Sequence, residues 1–453
     1  MLAIASANRT PAEALRFTAA WASEQAWLAD AATPVVKWLR PFVERDAPAA
    51  AIATLGKGAT PGNAGRTPPR APAPRAEARA AMPPQGGRYL VRTGDDLAAA
   101  IRAATAGTEI VLAPGIYRLT RKVETAAGGN GDRPIRVHAP TFGDAIIEVA
   151  AEEGIRVARP HWIFENLAFK GVCSDDNTCE HALHVVGVAQ GVRVSNNSFS
   201  DFNAAIKING EDGAWPDGGT IERNTFRNHR PRQTTRSVAA IDLVGASRWV
   251  VVDNLFTDIS KDLGSRISYA MFMKGGGTGG RIERNVILCA SARTGGHGQR
   301  IGISLGGGGT ESGHCRDGRC TTEHSEAIVA NNVVAHCNDF GIDVHKATRI
   351  TVGFNTLVNT EGIDLRGHPT SAEVYGNILD GRLRARDDAW LTVRDNIVGK
   401  LDRLFDAPEK LNLRWRAKPE HVARGEGVAA DFCARPRDAA TPQGAIPSGE
   451  PCL

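Results

Sequence analysis

Lys274 is the residue in this chain best placed by its neighbours to take a proton. It ends the run Met271-Phe272-Met273-Lys274 and opens onto Gly275-Gly276-Gly277, where missing side chains let a ligand approach the backbone. A lysine works as a base when partial burial or a nearby cation depresses its pKa. Arg300, and His297 in the glycine-rich stretch before it, are candidates to stabilise charge or return a proton. His345 can act as acid or base near neutral pH, and Arg366 has the planar fork that grips a carboxylate. Asp343 and Asp364 open a second chemistry, because hydrolysis of glycosidic bonds uses two carboxyls roughly 5–9.5 Å apart. Their plainer reading is charge pairing with Lys346 and Arg366. Lys207, Asp242 and Ser304 complete the set as ligand contacts, with Trp215, whose place among the carboxylates of Gly210–Gly219 suits stacking on a sugar.

These residues lie far apart in sequence, so a repeating scaffold must align them. One is visible from about Ile155 to Val398: an apolar-x-apolar pair, a small polar group, Asn, a variable residue and another apolar residue, as in Val194-Ser195-Asn196-Asn197-Ser198-Phe199. From Asn197 the unit recurs at Asn224, Asn254, Asn285, Asn332, Asn355, Asn377 and Asn396, at intervals of 27, 30, 31, 47, 23, 22 and 19 residues. The short intervals fit one turn of a solenoid and the long ones a turn plus a loop. A leucine-rich register is absent, and bursts of alternating Val, Ile and Phe read as short strands. The expectation is an all-β, right-handed, single-stranded parallel β-helix of eight or more coils. The Asn column serves the scaffold, since Asn tolerates left-handed backbone and can bond its own turn and the next.

Strand alternation places His184, Lys207, Asp242, Phe272, Ser304, Asp343 and Asp364 in one outward column. Val186, Asn209, Val244, Lys274, Gly306, His345 and Arg366 form the next. Coils stack about 4.8 Å apart, so two such columns make a trough several sugar rings long. Asp242 then lies three coils, roughly 14 Å, from Asp343, too far to join the carboxyl pair.

The ends differ from the middle. Residues 1–57 look helical and carry Trp21, Trp27 and Trp38, residues 58–87 have the Pro/Ala-rich composition of a linker, and the β-helix runs over 88–400 with an insertion at about 290–325. Thr93 and Asp95 precede Leu97-Ala98-Ala99-Ala100-Ile101 as a capped helix that covers the first coil. Residues 401–453 read as an irregular C-terminal cover. Three local cysteine couples (Cys173 with Cys179, Cys315 with Cys320, Cys433 with Cys452) suggest disulfides and an oxidising compartment, periplasmic or extracellular. Cys289 and Cys337 lie two coils apart by this register. Met1–Ala7 is apolar but too short for an ordinary export signal. No Cys-x₂-Cys pair suggests a metal, and no run of eighteen apolar residues suggests a membrane span. A net charge of +4 spread over 453 residues, with no basic block among aromatics, excludes a dedicated nucleic-acid binder and permits an acidic ligand.

The runs Asp96-Leu97 to Tyr117, Gly128-Gly129-Asn130-Gly131-Asp132-Arg133-Pro134-Ile135 and Trp162-Ile163-Phe164-Glu165-Asn166-Leu167 resemble the opening coils of right-handed β-helix polysaccharide lyases, especially the chondroitinase B and alginate lyase family. The resemblance implies β-elimination across a uronic acid, with Lys274 as base and an Arg one coil on. At that Arg position this chain has Gly306. It also implies calcium, but where the family has carboxylates this chain has Ile267 and Tyr269, so no cofactor is expected with those ligands. The leading expectation is therefore a monomeric lyase acting on an acidic polysaccharide. A glycoside hydrolase using Asp343 and Asp364 and a non-catalytic glycan-binding solenoid are the alternatives.

Overall fold

The computed structural model describes residues 86–290, 298–307, 309–419, 421–422, 427–437 and 441–447. The helical segment expected over 1–57 and all of the 58–87 linker except Gly86 and Gly87 lie outside these residues, as do His297 and Cys452. Strands from Arg88 to Val398 coil into three parallel sheets of twelve, eleven and ten strands, here termed the leading, middle and groove sheets. One coil reads Arg193–Ser195 in the leading sheet, Ser198–Ser200 in the middle sheet and Ile206–Asn209 in the groove sheet.

Alternation buries one side of every strand: Val194, Phe199, Ile206 and Ile208 all point into the core. Phe169, Phe199, Phe226 and Phe256 stack coil on coil, with ring centres 5.0, 5.1 and 4.8 Å apart. Ile287, Val334, Leu357 and Leu379 continue that row.

The Asn column forms a continuous hydrogen-bonded ladder. From Asn197 to Asn377, each Asn donates its backbone N–H and its Nδ2 to the Oδ1 of the Asn one coil on, at 2.8–3.1 Å. The left-handed residue, however, is the one before each ladder Asn: Asn196, Arg223, Asp253, Arg284, Asn331, Phe354, Gly376 and Asp395 all have positive φ. The expectation that Asn itself takes that conformation is corrected. The ladder residue supplies hydrogen bonds, and these hold its varied neighbour in the strained turn.

The first coil is closed by helix α1, Gly94–Ala103. Thr93 caps it through a 3.1 Å bond from Asp96 N–H, and Leu97, Ala98, Ala100 and Ile101 are buried. At the other end, described residues between Leu401 and Ile446 pack along the outer flank of the middle sheet. Phe405, Leu413 and Phe432 there join Leu255, Val286 and Ile378 in a second core. Arg437 fastens this segment: its buried guanidinium lies 3.9 Å from the Phe354 ring centre and donates to Asn331 Oδ1 and the Gly444 carbonyl.

Cys173–Cys179 and Cys315–Cys320 are disulfides, as their spacing predicts. Cys289–Cys337 is also bonded, and it joins adjacent coils instead of coils two apart, since Leu288 pairs directly with Ala335. The asparagine column gives the same adjacency: Cys289 follows Asn285 and Cys337 follows Asn332, which bond each other across one coil step. Cys433 is disulfide-bonded too.

Replacing Asn285 by Ala strips partners from the buried Asn254 N–H and Val251 carbonyl, which costs roughly 2–4 kcal/mol. Asn396, on the partly buried last rung, loses less. Urea midpoints of the two variants should fall in that order, and equal loss would deny the ladder its role.

Candidate functional site

The groove sheet carries both expected columns in register. His184, Lys207, Asp242, Phe272, Ser304, Asp343 and Asp364 pair rung to rung. Arg156 precedes them and Arg384 follows. In the second column Val244 faces Lys274, and Gly306, His345, Arg366 and Arg386 succeed one another.

Charge along these columns is closely compensated. Lys207 Nζ sits 2.8 Å from Asp242. Arg366 grips Asp343 through Nε and Nη2 at 3.0 and 3.1 Å, and Ser304 donates to the same carboxylate at 3.0 Å. Arg384 and Arg386 both bond Asp364. Asp343 and Asp364 are fully buried beneath these guanidiniums. They are thus charge pairs without access to a sugar, and Lys346 takes no part in them. Ser304, equally buried, supports Asp343 and contacts no groove space.

Lys274 differs from the other cations. Among the described residues no carboxylate lies within ion-pair distance of it, and its Nζ rests 4.3 Å from the centre of the Phe272 ring. Burial pushes its pKa below the ordinary lysine value, with Lys207 acting in the same direction and Asp242 opposing. A Cβ at Gly306, φ +76°, would collide with the His345 carbonyl. Backbone packing therefore explains why glycine replaces the arginine implied by the resemblance. It leaves a side-chain-free notch between Lys274 and His345. Burial, followed by Arg366, lowers the His345 pKa, and its Nδ1 is buried without a hydrogen bond.

The described insertion residues form one wall. Arg316 bonds Asp217 through both terminal nitrogens at 3.1 and 2.9 Å and lies 4.9 Å from the Trp215 ring centre. Trp215 also packs against the backbones of Gly210 and Gly245. It is therefore held in the wall by these contacts while remaining half-buried. Glu323, buried and bonded by Thr310 at 2.6 Å, stands behind the notch and influences both Lys274 and His345.

Arg300 is not brought to Lys274. It pairs with Ser268, six residues along the same strand from Lys274 and at the opposite edge of the groove sheet; its N–H is held by Asn338 at 2.8 Å. The expected swing across to replace an arginine would have to span roughly 20 Å of strand. Two residues were missed as site members. Tyr269 projects outward on the Lys274 strand, packs edge-on against Phe272 with ring centres 5.4 Å apart, and was noted only as a non-carboxylate. Glu323 folds back from an insertion that has no repeat to place it.

Calcium does not fit these groups. Among the described residues no cluster of three or more His, Cys, Asp or Glu can hold a metal ion, and the groove carboxylates are already engaged by Lys207 and the arginines.

At the trough's other end His184 contacts Glu153 at 3.2 Å and Asn209 Oδ1 at 2.7 Å. The His184 bond is the main force holding the Glu153 pKa down to about 2. Neighbouring His181 is half-buried, its Nδ1 bonded to the Ala204 carbonyl at 3.0 Å.

The family model for the right-handed beta helix region matches residues 153–379. The chain belongs to the right-handed β-helix family. No curated protein matches its sequence. Among solved structures, the pectate lyase Pel9A is similar to this β-helix over 80% of this chain and 96% of that one, at 15% identity and a TM-score of 0.55. A family 6 polysaccharide lyase from Pseudopedobacter saltans matches over 71% and 95%, at 13% identity and 0.40. A rhamnogalacturonan lyase matches over 68% and 84%, at 13% and 0.48. The likeness to Pel9A shows a shared fold. No described helix of this β-helix is long and apolar enough to cross a membrane.

Burial lowers the pKa of His181 and of His324 from 6.5 to about 4. Between those values the unfolded chain binds protons that the folded chain refuses, so stability falls as pH drops from 6.5 towards 4. Urea midpoints across that window should show this slope, and His324→Gln should flatten it. A wild-type midpoint that does not move would contradict the burial of neutral imidazoles.

Proposed function

We propose that this β-helix is a polysaccharide lyase that cleaves a uronic-acid-containing glycan by β-elimination. One observation carries the reading: of the described lysines and arginines in the two groove columns, Lys274 alone lacks a carboxylate partner, and it is partly desolvated. Such an amine is neutral more often than a surface lysine and can act as a base. It removes the proton on the carbon beside the uronate carboxylate. A double bond forms as the neighbouring glycosidic oxygen departs, giving an unsaturated product. Negative charge develops on the substrate carboxylate, and fixed cations lower the cost of that step. Lys207 beside Lys274 and Arg366 further along the trough are placed to supply them. His345, across the Gly306 notch, is a further group able to exchange a proton there.

The fold shared with the pectate lyase Pel9A agrees with this reading. A hydrolase reading has lost its acid pair to the arginines. We further propose that the protein acts in the periplasm or outside the cell on an acidic polysaccharide, a setting that Cys173–Cys179, Cys289–Cys337 and Cys315–Cys320 support.

Ultraviolet absorbance of unsaturated ends, followed on a panel of uronate polymers, tests the proposal. Wild type should generate absorbance on at least one polymer, and Lys274→Ala should lower the rate about 10²–10⁴-fold. Binding without turnover would instead make the protein a glycan-binding solenoid, and new reducing ends without absorbance would make it a hydrolase.

A further inference from the structure

β-Elimination needs a second proton transfer, because the departing oxygen must be protonated as its bond to carbon breaks. The family's arginine position is Gly306, so another group has to face the leaving oxygen. From the geometry of the strand Ile267–Lys274 we infer that Tyr269 is that acid, an inference resting on the lyase reading above.

Three observations carry it. Tyr269 and Lys274 project from one strand and flank one ring: Phe272 lies beneath the Lys274 amine at 4.3 Å and against the edge of Tyr269 at 5.4 Å. The buried Phe272 ring thus holds the amine and the phenol to one stretch of the trough, one on either side of it. Second, the Tyr269 ring packs with Ala239, Val244 and Phe272, yet among the described residues no protein group hydrogen-bonds its hydroxyl. Buried tyrosines ordinarily find such a partner; Tyr117 bonds the Val91 and Ala113 carbonyls at 2.9 and 2.6 Å. The hydroxyl is also absent from the buried unsatisfied atoms, so it reaches the trough and not a sealed core. Third, Ala239 occupies the rung before Tyr269 in its own column, leaving that side of the trough low.

The electrostatics separate the two groups in the required direction. Burial, reinforced by Asp343 and Asp339 and opposed by Arg366, raises the Tyr269 pKa, so the phenol keeps its proton. Burial and Lys207, opposed by Asp242 and Glu323, lower that of Lys274. Environments that drive two titratable groups apart mark an acid and a base. The transfer balances. Lys274 accepts the carbon-bound proton, the C–H electrons become the new double bond, and the C–O pair leaves on oxygen. That oxygen takes the Tyr269 proton. Solvent then returns a proton to the phenolate and removes one from the ammonium.

The test compares wild type, Tyr269→Phe and Lys274→Ala on the best uronate polymer and on a uronate whose leaving group is a low-pKa nitrophenol. An acid matters little when the leaving oxygen is already stable as an anion. Tyr269→Phe should lose about 10²–10⁴-fold in kcat on the polymer but stay within about 10-fold of wild type on the aryl substrate. Lys274→Ala should fail on both. Equal loss of Tyr269→Phe on both substrates, or no loss on the polymer, overturns the assignment while leaving the lyase reading intact. A wild type that eliminates neither substrate overturns the lyase reading, and the acid with it.

Discussion

The asparagine ladder is the constraint on which the other features depend. A strand displaced by one residue would turn its outward side chains into the core. The ladder opposes this by tying each turn to the next with two bonds accepted by one side-chain oxygen, inside the core where an unmade bond is expensive. The phenylalanine stack alone is a weaker register device, because apolar contact is non-directional. With the turns locked, residues tens of positions apart arrive side by side, and Lys207, Asp242 and Phe272 become consecutive rungs.

Register also explains the electrostatics of the trough. A column that repeats every coil puts ionisable groups about 4.8 Å from their neighbours, where unlike charges bond and like charges repel. Aspartates 343 and 364 fall on adjacent rungs, a repulsive arrangement, and the arginines around them resolve it. Lys274 stands beside an aromatic ring and a glycine, both neutral, and so escapes neutralisation.

Much of this could be read from the residues. Alternation and the Asn spacing were enough to align both outward columns correctly from His184 to Arg366, because strand periodicity is local and the repeat corrects drift at every turn. What the repeat does not cover was harder to read. The insertion carries no periodic signal, so the place of Glu323 was not visible, whereas the adjacency of Cys289 and Cys337 already followed from the successive rungs Asn285 and Asn332. Arg300 looked close to Lys274 because side-chain reach was judged without the width of the sheet. Tyr269 was overlooked because attention fell on the carboxylate it lacks, while its unengaged hydroxyl becomes apparent only once its neighbours are fixed in space. Trp215 shows the same limit: the loop composition pointed to a ligand, but its packing on two glycine backbones and a guanidinium could not be read from it.

Gly306 has a consequence for altering this protein. Its left-handed backbone and the His345 carbonyl above it forbid any larger residue, so an arginine-assisted active site cannot be restored by exchanging that one amino acid. A guanidinium delivered to the same space would have to be grafted from a neighbouring coil or from the insertion, whose Glu323 already borders the gap. Descendants of this sequence are thus free to vary the trough's electrostatics from its walls, while its floor at that rung stays bare.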